Sequence, residues 1–459
     1  MIPVTVYSGR KVALFGLGGS GTATALALRA GGAVVEAFDD NPAKLPEAER
    51  LGITIRDLKQ ADWSGYAALI LSPGVPFTHP EPHWSVTLAR VAQVEVIGDI
   101  ELFCRQRARE APSCAFVAVT GTNGKSTTTA LTAHILAGAG FDVQTGGNIG
   151  KPVLSLAPLT PSRVYVIECS TFQIDLAPSL EASVGVLLNL SPDHLDRHGG
   201  MEHYAALKER LIQAAGFAVI GDDDEFSRAV AERRKGPFVR IAAAHAPQGG
   251  GVYADGSRVL EQRGDGAPER VADLAGIASL RGAHNAQNAC AAVATARHYG
   301  VAPKVIDAAL KTFPGLAHRM EQVGVLGSTI FINDSKATNA DSTEKALLSF
   351  SNIYWILGGK PKAGGITSLA PLFPKVVKAY LIGQATDEFA ATLDGHAVYE
   401  KCGTLENALD AAMRDATLEP GRENVVLLSP ACASYDQFPN FEVRGDRFRE
   451  LVRQITGAA

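Results

Sequence analysis

One short stretch of the chain, VTGTNGKSTTT from Val119 to Thr129, has the residue types of a loop that binds nucleotide phosphates. Glycines in such a loop let backbone N–H groups approach a phosphate at the start of a helix. The common pattern G-x-x-x-x-G-K-[ST] would place its first glycine at position 119, where this chain has valine. The lysine supplies a charge for the outer phosphates, and the hydroxyls after it can ligate Mg²⁺. Unless it is an ordinary strand-helix turn, the stretch predicts a triphosphate site formed by Gly121, Thr122, Asn123, Gly124, Lys125, Ser126 and Thr127.

Two further segments carry groups that can ligate a metal ion. The apolar run VYVIECS ends at Glu168, and VGVLLNL leads into SPDHLDRHG, which contains His194. Both runs should finish at the carboxyl edge of one sheet, beside the phosphate loop, where open α/β sheets bind ligands. A carboxylate and an imidazole at that edge can complete a metal shell. A histidine after a strand is more often a turn or packing residue, and Asp193 and Asp196 can equally cap the next helix.

A second glycine pattern lies near the start of the chain. KVALFGLGGSGTATALALRAGG contains Gly16, Gly18 and Gly21 between a predicted strand and a predicted helix, and the next predicted strand ends at Asp39. This arrangement is typical of a site for a pyrophosphate, carried either by NAD or by a nucleoside-diphosphate sugar. A tight turn with close helix-strand packing is the alternative. The segment from Ser72 to Gly74 ends a third strand and can contribute to the same crevice.

Composition limits the classes of protein and partner. The chain has 459 residues, 46% of them hydrophobic, which predicts about three domains with sizeable cores. A net charge of −5 gives no indication of nucleic acid or of an anionic membrane as partner. The six cysteines are scattered without a C-x-x-C pair, which favours reduced thiols. With no signal-peptide pattern and no apolar run of about 20 residues, we expect a soluble, cytoplasmic protein.

The elements that position these groups alternate along the chain. Eleven apolar runs predict buried parallel strands, and the segments between them are long enough for helices, the pattern of βαβ units. The Gly-rich segment 244–270 breaks this rhythm and predicts a surface hairpin region. We interpret RQRAREAPS, before the phosphate loop, and FPGLAHRME, at 313–321, as linkers. The predicted α/β domains are 1–108, 109–314 and 315–459.

Several motifs taken together resemble those of the Mur ligase family. They are GTNGKST, GGNIGKP, ECSTFQ, DHLDRH, YAALKERL, RGAHNAQN, HRME, NDSKATN and ACASYDQFPNFEVRG, in that order over essentially the whole chain. The resemblance implies a UDP-sugar-binding Rossmann-like domain, then a central P-loop ATPase domain with a mostly parallel sheet, and last an amino-acid-binding Rossmann-like domain. The last two motifs resemble those of the members that add D-glutamate.

The resemblance implies a ligase of cytoplasmic peptidoglycan synthesis. In that reaction ATP phosphorylates the terminal carboxylate of UDP-N-acetylmuramoyl-L-alanine, the amine of D-glutamate attacks the acyl phosphate, and phosphate leaves. Converting a carboxylate to an acyl phosphate divides one difficult step into two feasible ones, and phosphoryl transfer depends mainly on positioning and charge neutralisation. We expect ATP, two Mg²⁺ sites and a monomer.

The resemblance also assigns roles to metal-site residues. Ser126 or Thr127 would hold a first Mg²⁺, and Glu168 and His194 would belong to a second site. Lys208, in YAALKERL, resembles a lysine that reacts with CO₂ to form a carbamate, although a solvated lysine is the ordinary interpretation of such a helical position. A carbamate would give Mg²⁺ the oxygen ligand that it prefers. The reaction needs the neutral amine, so the site should lower the pKa of this lysine.

The remaining residues implied by the resemblance fall into three groups. ATP-binding residues beyond the loop are the adenine-side Asn285 and Asn288, Arg319 for the phosphates, and Asp334 on the ribose side. UDP-sugar contacts are Gly18, Gly19, Ser20, Asp39, Gly74 and Asn148. D-Glutamate contacts are Lys336, Thr338, Ser434 and Phe441, together with Lys362.

Two departures from the family pattern leave details open. Lys360-Pro361-Lys362 stands where an acidic residue is expected after WILGG, and we favour Lys362 over Lys360 as the partner of the glutamate carboxylate. Asp40-Asn41 replaces a hydroxyl-then-basic pair expected after Asp39. The rival functions are a sister ligase for another amino acid, a folyl-polyglutamate synthetase, a nicotinamide-dependent dehydrogenase built on the first glycine pattern, and a non-catalytic nucleotide switch.

Overall fold

The computed structural model describes residues 1–361, 364–418 and 422–457. They form two compact units. The first comprises Met1–Ala275 with Asn285–Thr312, and the second comprises Gly276–His284 with the residues from Phe313 onward. The predicted domain 1–108 and most of the predicted domain 109–314 fall within the first unit. The boundary at 108 therefore stays a prediction.

Within the described ranges, no helix has the length and apolar character that crossing a membrane requires.

The first unit begins with a parallel sheet of five strands, all within described residues, in the order β3-β2-β1-β4-β5. Its central strand, KVALF, is apolar and buried beyond its first residue, as expected for a strand covered on both faces. The order reverses at this strand, and its carboxyl end therefore opens the crevice where such sheets bind ligands. The strands are β1 Lys11–Phe15, β2 Val34–Phe38, β3 Thr54–Ile55, β4 Ala68–Leu71 and β5 Glu95–Ile97, and the helices are α1 Gly19–Ala30, α2 Leu45–Arg50, α3 Trp84–Val91 and α4 Asp99–Glu110.

A second sheet in this unit has nine strands, all within described residues, in the order β14-β13-β12-β11-β10-β9-β6-β8-β7. It is parallel from β7 to β12 and antiparallel beyond, which confirms the hairpin predicted for 244–270. The strands are β6 Ala115–Thr120, β7 Asp142–Gly147, β8 Arg163–Glu168, β9 Val184–Leu187, β10 Phe217–Gly221, β11 Phe238–Ala242, β12 Gly250–Asp255, β13 Arg258–Arg263 and β14 Glu269–Asp273.

Seven helices in the described residues accompany this sheet along the chain. In the tenth helix of the chain, the first two residues are grouped with the second compact unit and the rest with the first. The helices are α5 Lys125–Gly138, α6 Thr171–Asp175, α7 Leu195–His198, α8 Met201–Ala214, α9 Glu225–Arg233, α10 Ala283–His298 and α11 Pro303–Thr312.

The second unit contains a sheet that has six strands among the described residues, in the order β15-β16-β20-β17-β18-β19. Only the edge strand β15 runs antiparallel within this described sheet. The strands are β15 Glu321–Leu326, β16 Thr329–Asn333, β17 Ile353–Gly358, β18 Val376–Ile382, β19 Tyr399–Gly403 and β20 Asn424–Leu428, and the helices are α12 Ala340–Ser349, α13 Thr386–Leu393, α14 Leu405–Thr417 and α15 Phe441–Thr456.

The eleven predicted strands are all confirmed, but one linker prediction is wrong. The polar segment RQRARE is the second half of α4, a helix whose buried face includes Phe103 and Gln106. Its charged residues are helical because the opposite face packs on the core, so polar composition alone did not mark a break. The other predicted linker, 313–321, has no helix or strand over residues 313–320, which lie between α11 and β15, and its last residue, Glu321, begins β15.

Candidate active site

The phosphate loop joins the buried strand β6 to α5. Val119, which stands in place of the usual first glycine, is a fully buried strand residue, so the turn begins two residues later, at Gly121. Gly121 and Gly124 have φ values of +150° and +82°, conformations that favour glycine. A Cβ atom at Gly124 would lie 2.1 Å from Oδ1 of Asn288. The displaced glycine therefore serves a shorter turn that reaches the same helix N-terminus.

Residues from β9 onward hold this loop in place. The backbone N–H of Thr122 donates to the carbonyl oxygen of Asn189 at 2.9 Å, and the N–H of Asn123 donates to the Asn189 side chain at 2.9 Å. The Thr122 hydroxyl lies 3.1 Å from the Ser191 carbonyl oxygen and 3.0 Å from the Tyr204 hydroxyl. Sequence reasoning missed Asn189, Ser191 and Tyr204. Their only signal was that the first two follow a strand ending at the predicted site.

Two lysines meet at the first carbonyl of the loop. Lys125 Nζ donates to the carbonyl oxygens of Gly121 at 3.0 Å and Thr122 at 2.8 Å. Lys208 Nζ donates to the same Gly121 oxygen at 2.6 Å and contacts Thr120 Oγ1 at 3.4 Å. The structure thus brings these two predicted residues together, although they lie 83 positions apart in the chain (208 minus 125).

Lys208 lies in the interior, with only 1% of its surface exposed. Burial lowers the pKa of its amine well below the usual range, and the charge of Lys125 lowers it further, while the Asp193 and Glu168 carboxylates act in the opposite direction. Helix α8 explains the burial, since Tyr204 and Leu211 lie on the same inward face. The spacing of these apolar residues around position 208 was a signal that could have indicated a buried lysine.

Glu168 ends β8 as a buried carboxylate, 2% exposed. Its Oε1 accepts a hydrogen bond from Asn148 Nδ2 at 2.8 Å, and its carbonyl oxygen accepts from the Asn148 N–H at 2.9 Å. Its Oε2 is buried and has no hydrogen-bond partner among the described residues. Leaving a buried carboxylate oxygen unsatisfied is costly, so a cation or donor is expected at this oxygen when the site is filled.

His194 has a different environment from Glu168. Its side chain is 54% exposed, its φ is +51°, and its ring lies against Phe172 at a centroid distance of 5.4 Å. Its Nε2 lies 3.4 Å from the Asp193 carboxylate. Its role as a metal ligand stays a prediction.

The oxygen atoms of Glu168, Ser126 and Thr127 are the type of ligand that a hard divalent cation such as Mg²⁺ prefers. The orphaned Glu168 oxygen is the main observation, and the neighbouring Ser126 and Thr127 hydroxyls follow the phosphate loop. In the described part of the chain, no group of three or more His, Cys, Asp or Glu side chains is arranged to hold a metal. A preformed all-protein cage is not how Mg²⁺ is usually bound, since that ion takes one or two carboxylates together with water and substrate phosphates.

The first glycine pattern separates into structural and open positions. Gly16, at φ +96°, and Gly21 are required by packing, since Cβ atoms there would lie 2.7 Å from the Ser72 Cβ and 1.7 Å from the Gly16 carbonyl oxygen. Gly18 and Gly19 lie at the start of α1, and a Cβ atom at either position would have no neighbouring atom of the described chain within 4 Å. The two predicted contact glycines thus leave the helix N-terminus open to an anion.

Both aspartates after β2 are engaged within the domain. Asp39 accepts hydrogen bonds from the Leu17 N–H at 2.7 Å and the Asn41 N–H at 2.9 Å. It therefore supports the glycine turn. Asp40, the departure from the family pattern, accepts from Trp84 Nε1 at 3.1 Å and lies 3.0 Å from the His83 ring.

The half-buried Ser20 pairs with Asp99, a buried residue that sequence reasoning missed. The Ser20 hydroxyl donates to Oδ2 of Asp99 at 2.6 Å, and Gln173 Nε2 lies 3.3 Å from the same oxygen. Burial raises the pKa of the Asp99 carboxyl, against the effect of these hydrogen bonds. Gly74, another predicted contact, is exposed, and its carbonyl oxygen lies 3.4 Å from Arg197 Nη2.

In the second unit, Asp334 follows β16 and is buried. Its carboxylate accepts from the Met320 N–H at 3.1 Å and the Ser429 hydroxyl at 2.8 Å, and burial raises its pKa to about 7. Arg319 is exposed beside Met320. Asn285 and Asn288, in the first unit, are buried and hydrogen-bonded to each other at 3.1 Å, with Asn288 also accepting from Thr128.

Of the described residues predicted for the amino acid, Lys336 and Thr338 follow β16, Ser434 follows β20, and Phe441 begins α15. Lys336 Nζ lies 3.9 Å from the centre of the Phe441 ring, a cation–π contact that joins two of them. Ser434 is buried, Thr338 is partly exposed and Lys360 is exposed. Lys362, the favoured lysine of that loop, lies outside the described residues.

These features define an α/β protein whose nine-stranded sheet carries a loop of the P-loop type between β6 and α5. Residues 119–296 match the family model described as the Mur ligase middle domain, and residues 318–432 match the one described as the Mur ligase, glutamate ligase domain. A protein of Nitrobacter hamburgensis named UDP-N-acetylmuramoylalanine-D-glutamate ligase is 59% identical over 462 residues, covering 100% of this chain and 99% of its own. One of the same name from Brucella abortus is 57% identical, with 100% and 98% covered.

A solved structure adds support for the fold. UDP-N-acetylmuramate-alanine ligase MurC from Thermotoga maritima superposes with a TM-score of 0.59 at 18% identity, covering 97% of this chain and 99% of that one. The chain belongs to the Mur ligase family. The resemblance inferred from the motifs is thereby confirmed, as is the α/β fold with three sheets that it implied.

Proposed function

We propose that the protein is an ATP-dependent ligase that joins D-glutamate to UDP-N-acetylmuramoyl-L-alanine in peptidoglycan synthesis. The observation that carries this proposal is the pairing of Lys125 and Lys208 on the Gly121 carbonyl, beside the unsatisfied Glu168 carboxylate. That pairing suits transfer of a phosphoryl group to a carboxylate better than hydride transfer. The choice of amino acid follows the relatives that share at least 57% of their residues with this chain.

ATP would be held by the phosphate loop and by residues outside it. Lys125 offsets charge on the transferring phosphoryl group, and the N-terminus of α5 receives the phosphate oxygens. Asn288 fixes the turn at Gly124 and, with Asn285, borders the predicted adenine site. Arg319 is the residue that the resemblance assigns to the phosphates, and Asp334 is the one that it assigns to the ribose.

Mg²⁺ would be held by Ser126 or Thr127 at one site, and by Glu168, His194 and the Lys208 carbamate at another. It supplies positive charge that neutralises the phosphate oxygens. The chain contributes the buried Glu168 oxygen, oriented by Asn148, and the Lys208 amine, whose pKa is lowered by burial in the direction that reaction with CO₂ requires. In the carbamate, the Lys208 nitrogen bonds to the carbon of CO₂ and loses a proton, and the product is an anion with two oxygens.

The UDP-sugar would bind at the start of α1, where Gly18 and Gly19 leave the helix N-terminus open. Ser20 and Asn148 are the polar side chains that the resemblance assigns to this ligand, while Asp39 accepts a hydrogen bond from the Leu17 N–H in the glycine turn. The L-alanine carboxylate is then phosphorylated, and the D-glutamate amine attacks the acyl carbon. The tetrahedral intermediate collapses by breaking the bond to the phosphate oxygen, and the lost amine proton leaves to solvent or base.

Lys336, Thr338, Ser434, Phe441 and Lys362 would receive D-glutamate. The positive charges of the two lysines suit the two carboxylates of D-glutamate. The contact with the Phe441 ring orients the Lys336 side chain. Both the monomeric state and a cytoplasmic location remain part of this proposal.

The test is ADP release by the full chain with UDP-N-acetylmuramoyl-L-alanine and Mg²⁺, with and without D-glutamate. We expect strong stimulation by D-glutamate and none by L-glutamate, the mirror-image control. A panel with L-lysine, diaminopimelate and D-alanyl-D-alanine distinguishes the sister ligases. Stimulation by one of those compounds and not by D-glutamate would refute the assignment. A rate of ADP release that is independent of every added amino acid would indicate a nucleotide switch.

A further inference from the structure

Arg444 is a fully buried arginine in the first turn of α15, with 1% of its surface exposed. Its guanidinium donates three hydrogen bonds to two other segments. Nε donates to Ser335 Oγ at 3.0 Å, and Nη2 donates to the carbonyl oxygens of Ser335 at 2.9 Å and Cys432 at 3.1 Å. Ser335 in turn donates to the carbonyl oxygen of Phe441 at 2.8 Å, which closes a network around the start of the helix.

A third segment packs against the same guanidinium. Gly359, which follows β17, has a φ of +131°, and a Cβ atom there would lie 3.2 Å from Arg444 Nη1. The next residue, Lys360, donates its N–H to the carbonyl oxygen of Ala433 at 2.8 Å. Loops after β16, β17 and β20 therefore all meet at Arg444.

The charge of Arg444 is unusual for so buried a group. No carboxylate among the described residues forms an ion pair with it, and Nη1 has no hydrogen-bond partner among them. Burial lowers the pKa of Arg444 to about 10, so the side chain still carries its charge near neutral pH. An unpaired buried cation destabilises a fold relative to an apolar side chain of similar size, which favours a functional reason for its presence.

Two of the joined loops carry a group predicted to contact the amino-acid substrate, since Lys336 directly follows Ser335 and Ser434 lies two residues after Cys432. In the third loop, Gly359 is followed by Lys360, the less favoured of the two lysines considered for the glutamate carboxylate. Phe441 begins the helix that holds Arg444 itself. The guanidinium is therefore the common anchor of the predicted D-glutamate contacts, and its side chain is too buried to be one of them.

We propose that Arg444 is a positioning residue for the amino-acid substrate, holding the loops of Ser335, Gly359 and Cys432 in the arrangement that binds it. This inference rests on the proposed ligase function. The positive charge of Arg444 also attracts, through the protein interior, a substrate that carries carboxylates. Lysine cannot replace it, because a single ammonium lacks the planar fork that reaches both loops at once.

The test compares Arg444→Lys and Ser335→Ala with the matched control Arg453→Met, which alters an exposed arginine of the same helix. KM values for ATP, for UDP-N-acetylmuramoyl-L-alanine and for the amino acid are measured separately, together with kcat and the thermal unfolding midpoint. We expect Arg444→Lys to raise KM for D-glutamate at least roughly ten-fold, because hydrogen bonds to a charged group are lost. KM for the other two substrates should change less than about two-fold.

Ser335→Ala keeps the charge of Arg444 and removes the acceptor for its Nε together with the hydrogen bond to the Phe441 carbonyl, so it should fold and raise the same KM by a smaller factor. Arg453→Met should behave as the natural enzyme does. A folded Arg444→Lys or Ser335→Ala enzyme with unchanged KM for the amino acid overturns the inference, as does an equal rise in all three KM values. If the natural enzyme responds to an amino acid other than D-glutamate, the proposed function fails, and Arg444 is judged by the KM for that amino acid.

Discussion

Lys125 and Lys208 donate hydrogen bonds to one and the same oxygen, the carbonyl of Gly121, at 3.0 and 2.6 Å. Two ammonium groups that share one acceptor repel each other, and this repulsion falls mainly on the more buried of the two. Lys125 is partly exposed, whereas Lys208 is buried and the pKa of its amine is lowered. In the proposed function, Lys125 would offset the phosphate charge and the Lys208 amine would react with CO₂.

We expect activity to depend on carbamate formation at Lys208. Enzyme prepared and assayed without CO₂ should release ADP slowly, and added bicarbonate should restore the rate. Lys208→Arg and Lys208→Ala should both lose about 100-fold or more in kcat, since neither side chain can supply the anionic oxygens for Mg²⁺. Lys235→Ala, a change at an exposed lysine, should respond to bicarbonate as the natural enzyme does. A fully active Lys208→Arg enzyme would remove the carbamate from the mechanism.

Much of this arrangement follows from local sequence. The apolar runs identified the strands, and the glycine-lysine loop identified the nucleotide site, because both depend on neighbouring residues. The supporting residues are different. Ser20 pairs with Asp99 across 79 positions, Asn123 with Asn189 across 66, and Arg444 with Ser335 across 109.

Such long-range partners are determined by packing, which composition and periodicity do not specify. Lys208 is a further example. A lysine in a helix is usually predicted to be solvated, but this one is buried because it lies on the inward face of α8. The linker error at RQRARE has a similar cause, because a helix with one charged face resembles a break when only composition is considered.

Glu168 should determine the requirement for Mg²⁺. Glu168→Gln removes the charge from the unsatisfied buried oxygen and should raise the Mg²⁺ concentration for half-maximal ADP release. Asn148→Leu should raise it by roughly ten-fold, as is typical when the partner that orients a metal ligand is lost. Asp265→Asn, at an exposed hairpin position, serves as the control. Mg²⁺ titrations that coincide for all these variants would contradict the assignment.

Gly124 should be essential for nucleotide binding. Alanine there requires a φ of +82° and places its Cβ 2.1 Å from Oδ1 of Asn288, so the loop must deform. We expect calorimetry to show a loss of ATP affinity of roughly 100-fold, from about 3 kcal/mol of strain and displaced contacts.

The matched control is Gly138→Ala in the same helix. A Cβ there makes an ordinary contact of 3.5 Å with Ala309, and alanine favours the helix by up to about 1 kcal/mol. This variant should bind ATP normally and unfold at the same or a higher temperature. Weak ATP binding by both variants would show that the helix and not the turn is responsible.

Asp334 should give the second unit a pH-dependent stability. Burial raises the pKa of its carboxyl to about 7, so between about pH 4, the usual value for an unfolded aspartate, and pH 7 the folded state binds more protons than the unfolded state. Its contribution to the free energy of unfolding is therefore full below that window and falls as the pH rises through it, by at most about 1.4 kcal/mol per pH unit.

Asp334→Asn removes the titrating group and keeps one acceptor for the Met320 N–H or the Ser429 hydroxyl. Relative to the natural protein, this variant should gain stability between pH 5 and pH 8 in thermal unfolding scans, whereas Asp394→Asn, at an exposed position, should keep the natural slope. Parallel curves for Asp334→Asn and the natural protein would mean that the carboxylate is ionised throughout, and that its two hydrogen-bond donors outweigh its burial.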